Sequence, residues 1–176
     1  IFASLMLYRR DDVKRLFAFS SIEHMGLMVF AFGIGGPAAN FGGLLHMVMH
    51  SVTKSAIFFS VGHIAQIKGT QRIDDIRGMT TSQPMLGWGL VAGAIAIIGL
   101  PPFGLFSSEF IILTAAYAHH PFLALMGGIG LLLAFGAILL RVTHMAFGKP
   151  TANIASINIS QVPLLLHLLI ALMAGL

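Results

Sequence analysis

An all-α, polytopic membrane bundle is the fold class this sequence predicts, on three observations. The chain is 57% hydrophobic and only 9% charged, where a soluble domain carries about 25% charged residues. Apolar runs of membrane-spanning length alternate with short clusters of Gly and Pro. Threading those runs alternately through a bilayer puts Arg9, Arg10, Lys14, Arg15, Lys68, Arg72, Arg77, Arg141 and Lys149 on one side. The other side receives no Lys or Arg. One missed or extra span would scramble this asymmetry, so it also supports the span count.

The elements follow in order. Ile1 to Tyr8 reads as the tail of a preceding helix. Val13 to Ile34 and Phe41 to Ile67 are each long enough to span, given the about 20 residues a crossing needs. Met85 to Ala118 is too long for one straight span, and Gly99-Leu100-Pro101-Pro102-Phe103-Gly104 interrupts it. The prolines remove backbone donors and the glycines permit a loop, so a broken helix is expected. Phe122 to Phe147 is another span, and Val162 to Leu176 starts a last one. Breakers separate them: Gly35-Gly36-Pro37, Gln83-Pro84, His120-Pro121 and Gly148-Lys149-Pro150. The chain begins and ends inside apolar runs, with no starting Met and no signal-peptide pattern. It is expected to be a fragment of a longer protein.

Composition also narrows function. Without cysteine, neither disulfides nor cysteine metal sites are expected. A net charge of +4 does not point to nucleic acid, because the basic residues flank spans and act as orientation signals. No nucleotide loop, nucleophile triad, haem or iron–sulfur motif is present, so no cofactor and no metal site is predicted. The GGIG stretch at 127–130 reads as helix packing, not phosphate binding.

The chemistry lies in ionisable residues within the spans. Lys54 sits inside an apolar run, where a charged lysine costs roughly 3 kcal/mol on insertion scales. His46 and His50 precede it by eight and four residues in HMVMHSVTK, which stacks the three on one helix face. Such a column suits proton relay, and Ser51 and Ser55 lie near enough to bind water. Glu23 and His24 fall near mid-depth of their span. Glu109 follows the helix break, where transporters place ion sites. Lys14 at the mouth of the first span and His63 at the basic end of the second are candidate proton-access groups. Asp11, Asp12, Asp74 and Asp75 read as solvated loop residues, and His119, His120, His144 and His167 as structural or solvated.

The stretches DDVKRLFAFSSIEHMG, HMVMHSVTKSAIFFSVGHI, DDIRGM and GLPPFGLFSSEFIIL, in this order, resemble the antiporter-like membrane subunits of complex I, Mrp-type antiporters and membrane-bound hydrogenases. The SSIEHMG and FSSEF forms look most like the hydrogenase-4 component F branch, related to formate hydrogenlyase. The resemblance implies two inverted five-helix repeats, each with one broken helix. Residues 1–148 would be the second repeat in part, and 149–176 a cytoplasmic loop with the start of a further span. Lys54 would be the central lysine, His46 and His50 its relay neighbours, and Glu109 the terminal group on the broken helix. Glu23 departs from the complex I pattern, where a neutral residue is usual.

The expected function is therefore proton translocation, or Na⁺/H⁺ exchange, by a subunit of an energy-converting hydrogenase or formate hydrogenlyase-type complex. The chain itself carries no catalytic centre. Its partners would be the other membrane and peripheral subunits, the lipid bilayer and protons, with no nucleic acid. The expected place is the cytoplasmic membrane of a prokaryote, basic loops inside. The alternatives are a complex I chain M-like or Mrp-type subunit, and a non-pumping anchor of a redox complex.

Overall fold

A computed structural model describes residues 1–152, 160 and 162–175. Its elements are α1 (Phe2–Leu7), α2 (Val13–Ile34), α3 (Gly36–Lys68), a 3₁₀ turn at Ile73–Asp75, α4 (Met79–Ser82), α5 (Pro84–Ile97), α6 (Gly104–His119), α7 (Pro121–Ala146) and α8 (Val162–Met173). No strand occurs among the described residues. By length and apolar content, α2, α3 and α7 can each cross a membrane. The loop assigned to 149–176 is described only in part, and Leu176 lies outside the described residues.

Local chemistry sets the boundaries. Asp12 caps α2 by accepting from the Arg15 amide at 2.9 Å. Pro37, Pro84 and Pro121 sit in the first turns of their helices, where a missing amide hydrogen costs nothing. Gly69 ends α3 in the left-handed conformation. The second span thus starts at Gly36, ahead of the Phe41 expected from hydropathy, because the Gly36-Pro37 start supports helix before the apolar run begins.

The long segment is broken where expected. α5 stops at Ile97 and α6 starts at Gly104. With 14 and 16 residues, the halves reach only about 21 and 24 Å at 1.5 Å per residue. Neither alone crosses the roughly 30 Å hydrocarbon layer. Between them Gly99 takes φ +67°, a conformation L side chains rarely adopt.

α3 is the central rod and packs against α2, α5, α6 and α8. Close approach to α6 depends on Gly42, where an added Cβ would come within 2.9 Å of Ile112. Small residues serve the same purpose in membrane helices generally. At the basic end the connecting segments are tied together. Val13 donates to the Gln71 carbonyl at 2.9 Å and Ile73 to that of Asp11 at 2.8 Å. Arg141 donates to the Tyr8 carbonyl at 2.7 Å, and Lys68 to that of Thr151 at 2.6 Å. These contacts fix the ends of the helices that carry the interior polar residues.

Candidate functional site

Three helices converge on one buried polar cluster. α2 contributes Glu23 and His24, α3 contributes His46, His50 and Lys54, and α6 contributes Ser108 and Glu109. All seven side chains are buried; His46 and Ser108 are 0% exposed, and the most exposed, Glu23 and Glu109, reach only 8%.

His24 and His46 form its centre. His24 Nδ1 lies 3.0 Å from His46 Nε2, and His46 Nδ1 lies 2.9 Å from Ser108 Oγ. The Ser108 hydroxyl donates its single hydrogen to the Leu105 carbonyl at 2.8 Å. Toward His46 it must therefore accept. The network so assigns the hydrogen of His46 to Nδ1. His46 Nε2 is then an acceptor, and His24 Nδ1 donates to it. A directed chain runs from His24 through His46 and Ser108 to a backbone carbonyl.

The acids flank His24. Glu23 Oε2 lies 3.6 Å from His24 Nε2, and Glu109 Oε1 lies 4.0 Å from His24 Nδ1. Neither of these carboxylate oxygens has a hydrogen-bond partner among the described residues, nor does His50 Nε2. Buried polar atoms of this kind are ordinarily satisfied by water or an ion. Glu109 packs over the turn at Gly99, and its carboxylate fills the space a Cβ there would occupy. The break thus admits the acid to the cluster. Glu23 also borders a cleft of about 410 Å³ between α1, α2 and α7, lined with Ile22, Leu27, Phe30 and Met126.

His50 stacks on His46 with ring centres 6.4 Å apart and lies 5.1 Å from the His24 ring. Lys54 lies beside this group but makes no hydrogen bond to it. Its Nζ donates to the Phe17 carbonyl of α2 at 2.7 Å. No carboxylate lies within 4.0 Å of it among the described residues.

The structure therefore gathers His46, His50, His24, Glu23 and Glu109 around one point, with Lys54 at its edge. Lys14 is exposed at the start of α2, and His63 is half-buried toward the basic end of α3; neither joins the cluster. Ser51 is exposed and donates to Met47 on its own helix at 2.8 Å, so it does not face the histidines. The hydroxyl that does is Ser108, which stands in the sequence only as part of a motif. An FSSEF stretch just after a helix break, with a buried imidazole to satisfy, was the available signal.

Comparison with known proteins points in one direction. Residues 1–136 match the family described as NADH:quinone oxidoreductase/Mrp antiporter, transmembrane. The hydrogenase-4 component F homolog of Methylacidiphilum infernorum is 55% identical over 99% of this chain and 37% of its own length. A subunit of the Na(+)/H(+) antiporter of Alkalihalophilus pseudofirmus is 28% identical over 92% of the chain and 33% of its own length. Among solved structures, the membrane-bound sulfane sulfur reductase, an archaeal respiratory membrane complex, superposes with TM-score 0.88 at 28% identity. That match covers 99% of this chain and 36% of the other. The chain thus spans about a third of the length of these relatives.

Proposed function

The chain belongs to the NADH:quinone oxidoreductase/Mrp antiporter transmembrane family, and from that premise we propose that it carries protons through the His24–His46–Glu109 cluster as part of a translocating membrane subunit. The observation that supports this best is the cluster itself. Three imidazoles, two carboxylates and one lysine meet from α2, α3 and α6, where burial of such groups is costly and generally functional.

In this reading Lys54 exchanges a proton with His50, with water completing the gap between them. His50 passes it to the His24–His46 pair, and Glu109 on the broken helix takes it onward. Movement of a carboxylate toward or away from the lysine loads or unloads it. Lys14 and His63, outside the cluster, serve as access groups near the basic face. Residues 1–148 form the second five-helix repeat in part, with 149–176 leading into a further span. The basic loops face the cytoplasm of a prokaryote, in line with the charge asymmetry.

The partner complex is of hydrogenase or formate hydrogenlyase type, supported by the 55% identity to a hydrogenase-4 component F homolog. Na⁺ in place of H⁺ is the variant reading, because a relative carries the name Na(+)/H(+) antiporter. A dry, fully paired anchor is disfavoured by Glu23 Oε2 and Glu109 Oε1, which have no hydrogen-bond partner among the described residues.

The test is proton uptake by the assembled complex in inverted membrane vesicles at matched abundance. Lys54→Ala should abolish coupled uptake while leaving assembly largely intact. Lys54→Arg should not restore it, because guanidinium does not release its proton in proteins. Normal uptake in both variants would make Lys54 structural and end the relay reading.

A further inference from the structure

One arrangement in the cluster goes beyond proton relay. His24, His46 and Glu109 each offer a ligand atom, and the three atoms lie within 4.8 Å of one another. Bonds of about 2.0–2.1 Å in a tetrahedral zinc site place neighbouring ligand atoms roughly 3.3 Å apart. His24 Nδ1 stands 3.0 Å from His46 Nε2 and 4.0 Å from Glu109 Oε1. Side-chain adjustments of about an ångström or less would bring all three to one ion.

The surroundings fit a metal better than the three atoms alone require. A histidine that binds a metal through one nitrogen usually donates its other N–H to an oxygen, which fixes the ring. His46 already does so, since its Nδ1 hydrogen goes to Ser108 Oγ at 2.9 Å and leaves Nε2 free to ligate. When His24 ligates through Nδ1, its hydrogen moves to Nε2, which faces Glu23 Oε2 at 3.6 Å. The third donor, Glu109 Oε1, is buried and has no hydrogen-bond partner among the described residues. Two imidazoles and one carboxylate are a zinc donor set that keeps one position open. The carboxylates of Glu109 and Glu23 supply charge to offset a divalent ion.

We infer that His24, His46 and Glu109 form a binding site for a divalent transition-metal cation of zinc type, whose occupancy blocks proton passage. Binding ties α2, α3 and α6 to one ion and occupies the nitrogens and the oxygen through which protons would move. The block rests on the relay reading; the binding does not. No local motif marks the site, because its ligands lie 22 and 63 positions apart (24, 46 and 109) and only the fold joins them.

The experiment uses the purified, assembled complex. Zn²⁺ bound to it is examined by X-ray absorption, and Co²⁺ by its visible absorption, as differences between wild type and variants. Wild type should show a site with two imidazole ligands and oxygen. His24→Gln and Glu109→Gln should lose that site, and His119→Gln with His120→Gln should keep it. Ser108→Ala, which keeps all three ligands, should weaken binding by about 10–100-fold, as loss of a partner to a ligating histidine does. Unchanged binding in assembled His24→Gln and Glu109→Gln complexes overturns the site, as does a zinc spectrum without imidazole. Zinc-inhibited proton uptake in wild-type vesicles supports the block. Binding at the site with full uptake leaves the site standing and removes both the block and the relay.

Discussion

Lys54 Nζ donates to the Phe17 carbonyl at 2.7 Å and lies 5.3 Å from the centre of the Phe17 ring. The lysine is thus held on the neighbouring helix by a carbonyl and an aromatic face, with no carboxylate within 4.0 Å among the described residues. The ring's attraction for a desolvated ammonium is worth up to about 2 kcal/mol. Phe17→Leu keeps the carbonyl and most of the packing but removes the ring. Assembly should be near normal and proton uptake in vesicles should change several-fold. Uptake indistinguishable from wild type would show that the ring does not hold the lysine.

Ser108→Ala leaves the buried Nδ1–H of His46 without an acceptor. An unsatisfied buried donor costs about 1–3 kcal/mol. The complex should assemble, while proton uptake should fall by roughly tenfold or more as one tautomer ceases to dominate. Solid-state NMR of ring-labelled histidine checks the cause, by a mixture of His46 tautomers in the variant.

Gly99→Ala is expected to be severe. The position has φ +67°, which costs an L residue about 1–2 kcal/mol, and a Cβ would run into the Glu109 carboxylate. Gly62→Ala is the contrast, since a Cβ there meets nothing within 4 Å and alanine favours helix by about 0.5–1 kcal/mol. Thermal melting of the complex should fall for the first and hold or rise for the second. Equal melting would mean that Gly99 does not set the break.

Lys68 tests whether every buried lysine matters to transport. It is 3% exposed and donates to the Thr151 carbonyl at 2.6 Å. Lys68→Met should leave proton uptake intact and make the chain near residues 148–152 easier to cleave. Loss of uptake comparable to Lys54→Ala would assign Lys68 to the path.

The membrane topology is checked with single cysteines, for which this cysteine-free chain is suited. Pro37→Cys and His120→Cys should react with an impermeant reagent in intact cells, and Arg72→Cys should not. Labelling at position 72 inverts the orientation.

Much of the architecture was legible because the signals are local. Pro101 and Pro102 announce the break that ends α5 at Ile97, and hydropathy locates α2, α3 and α7. The helical repeat correctly put His46 and His50 in stacking register. It did not show that Lys54 turns to α2, nor that His24 bonds His46. Periodicity fixes which side chains share a face of one helix, while the rotation of one helix against another depends on packing around residues such as Gly42. For the same reason Ser51 looked as suitable as any hydroxyl, and Ser108, 62 positions from His46, did not stand out.

The bond from Ser108 to the Leu105 carbonyl has a consequence for traffic. A carbonyl cannot take over a covalent proton, so nothing leaves by way of Ser108. A proton handed from His24 to His46 stops there as stored charge, and must depart by the nitrogen through which it came. His46 is then a siding and not a through line. The onward step to Glu109 then runs from His24 itself, whose Nδ1 lies 4.0 Å from Glu109 Oε1.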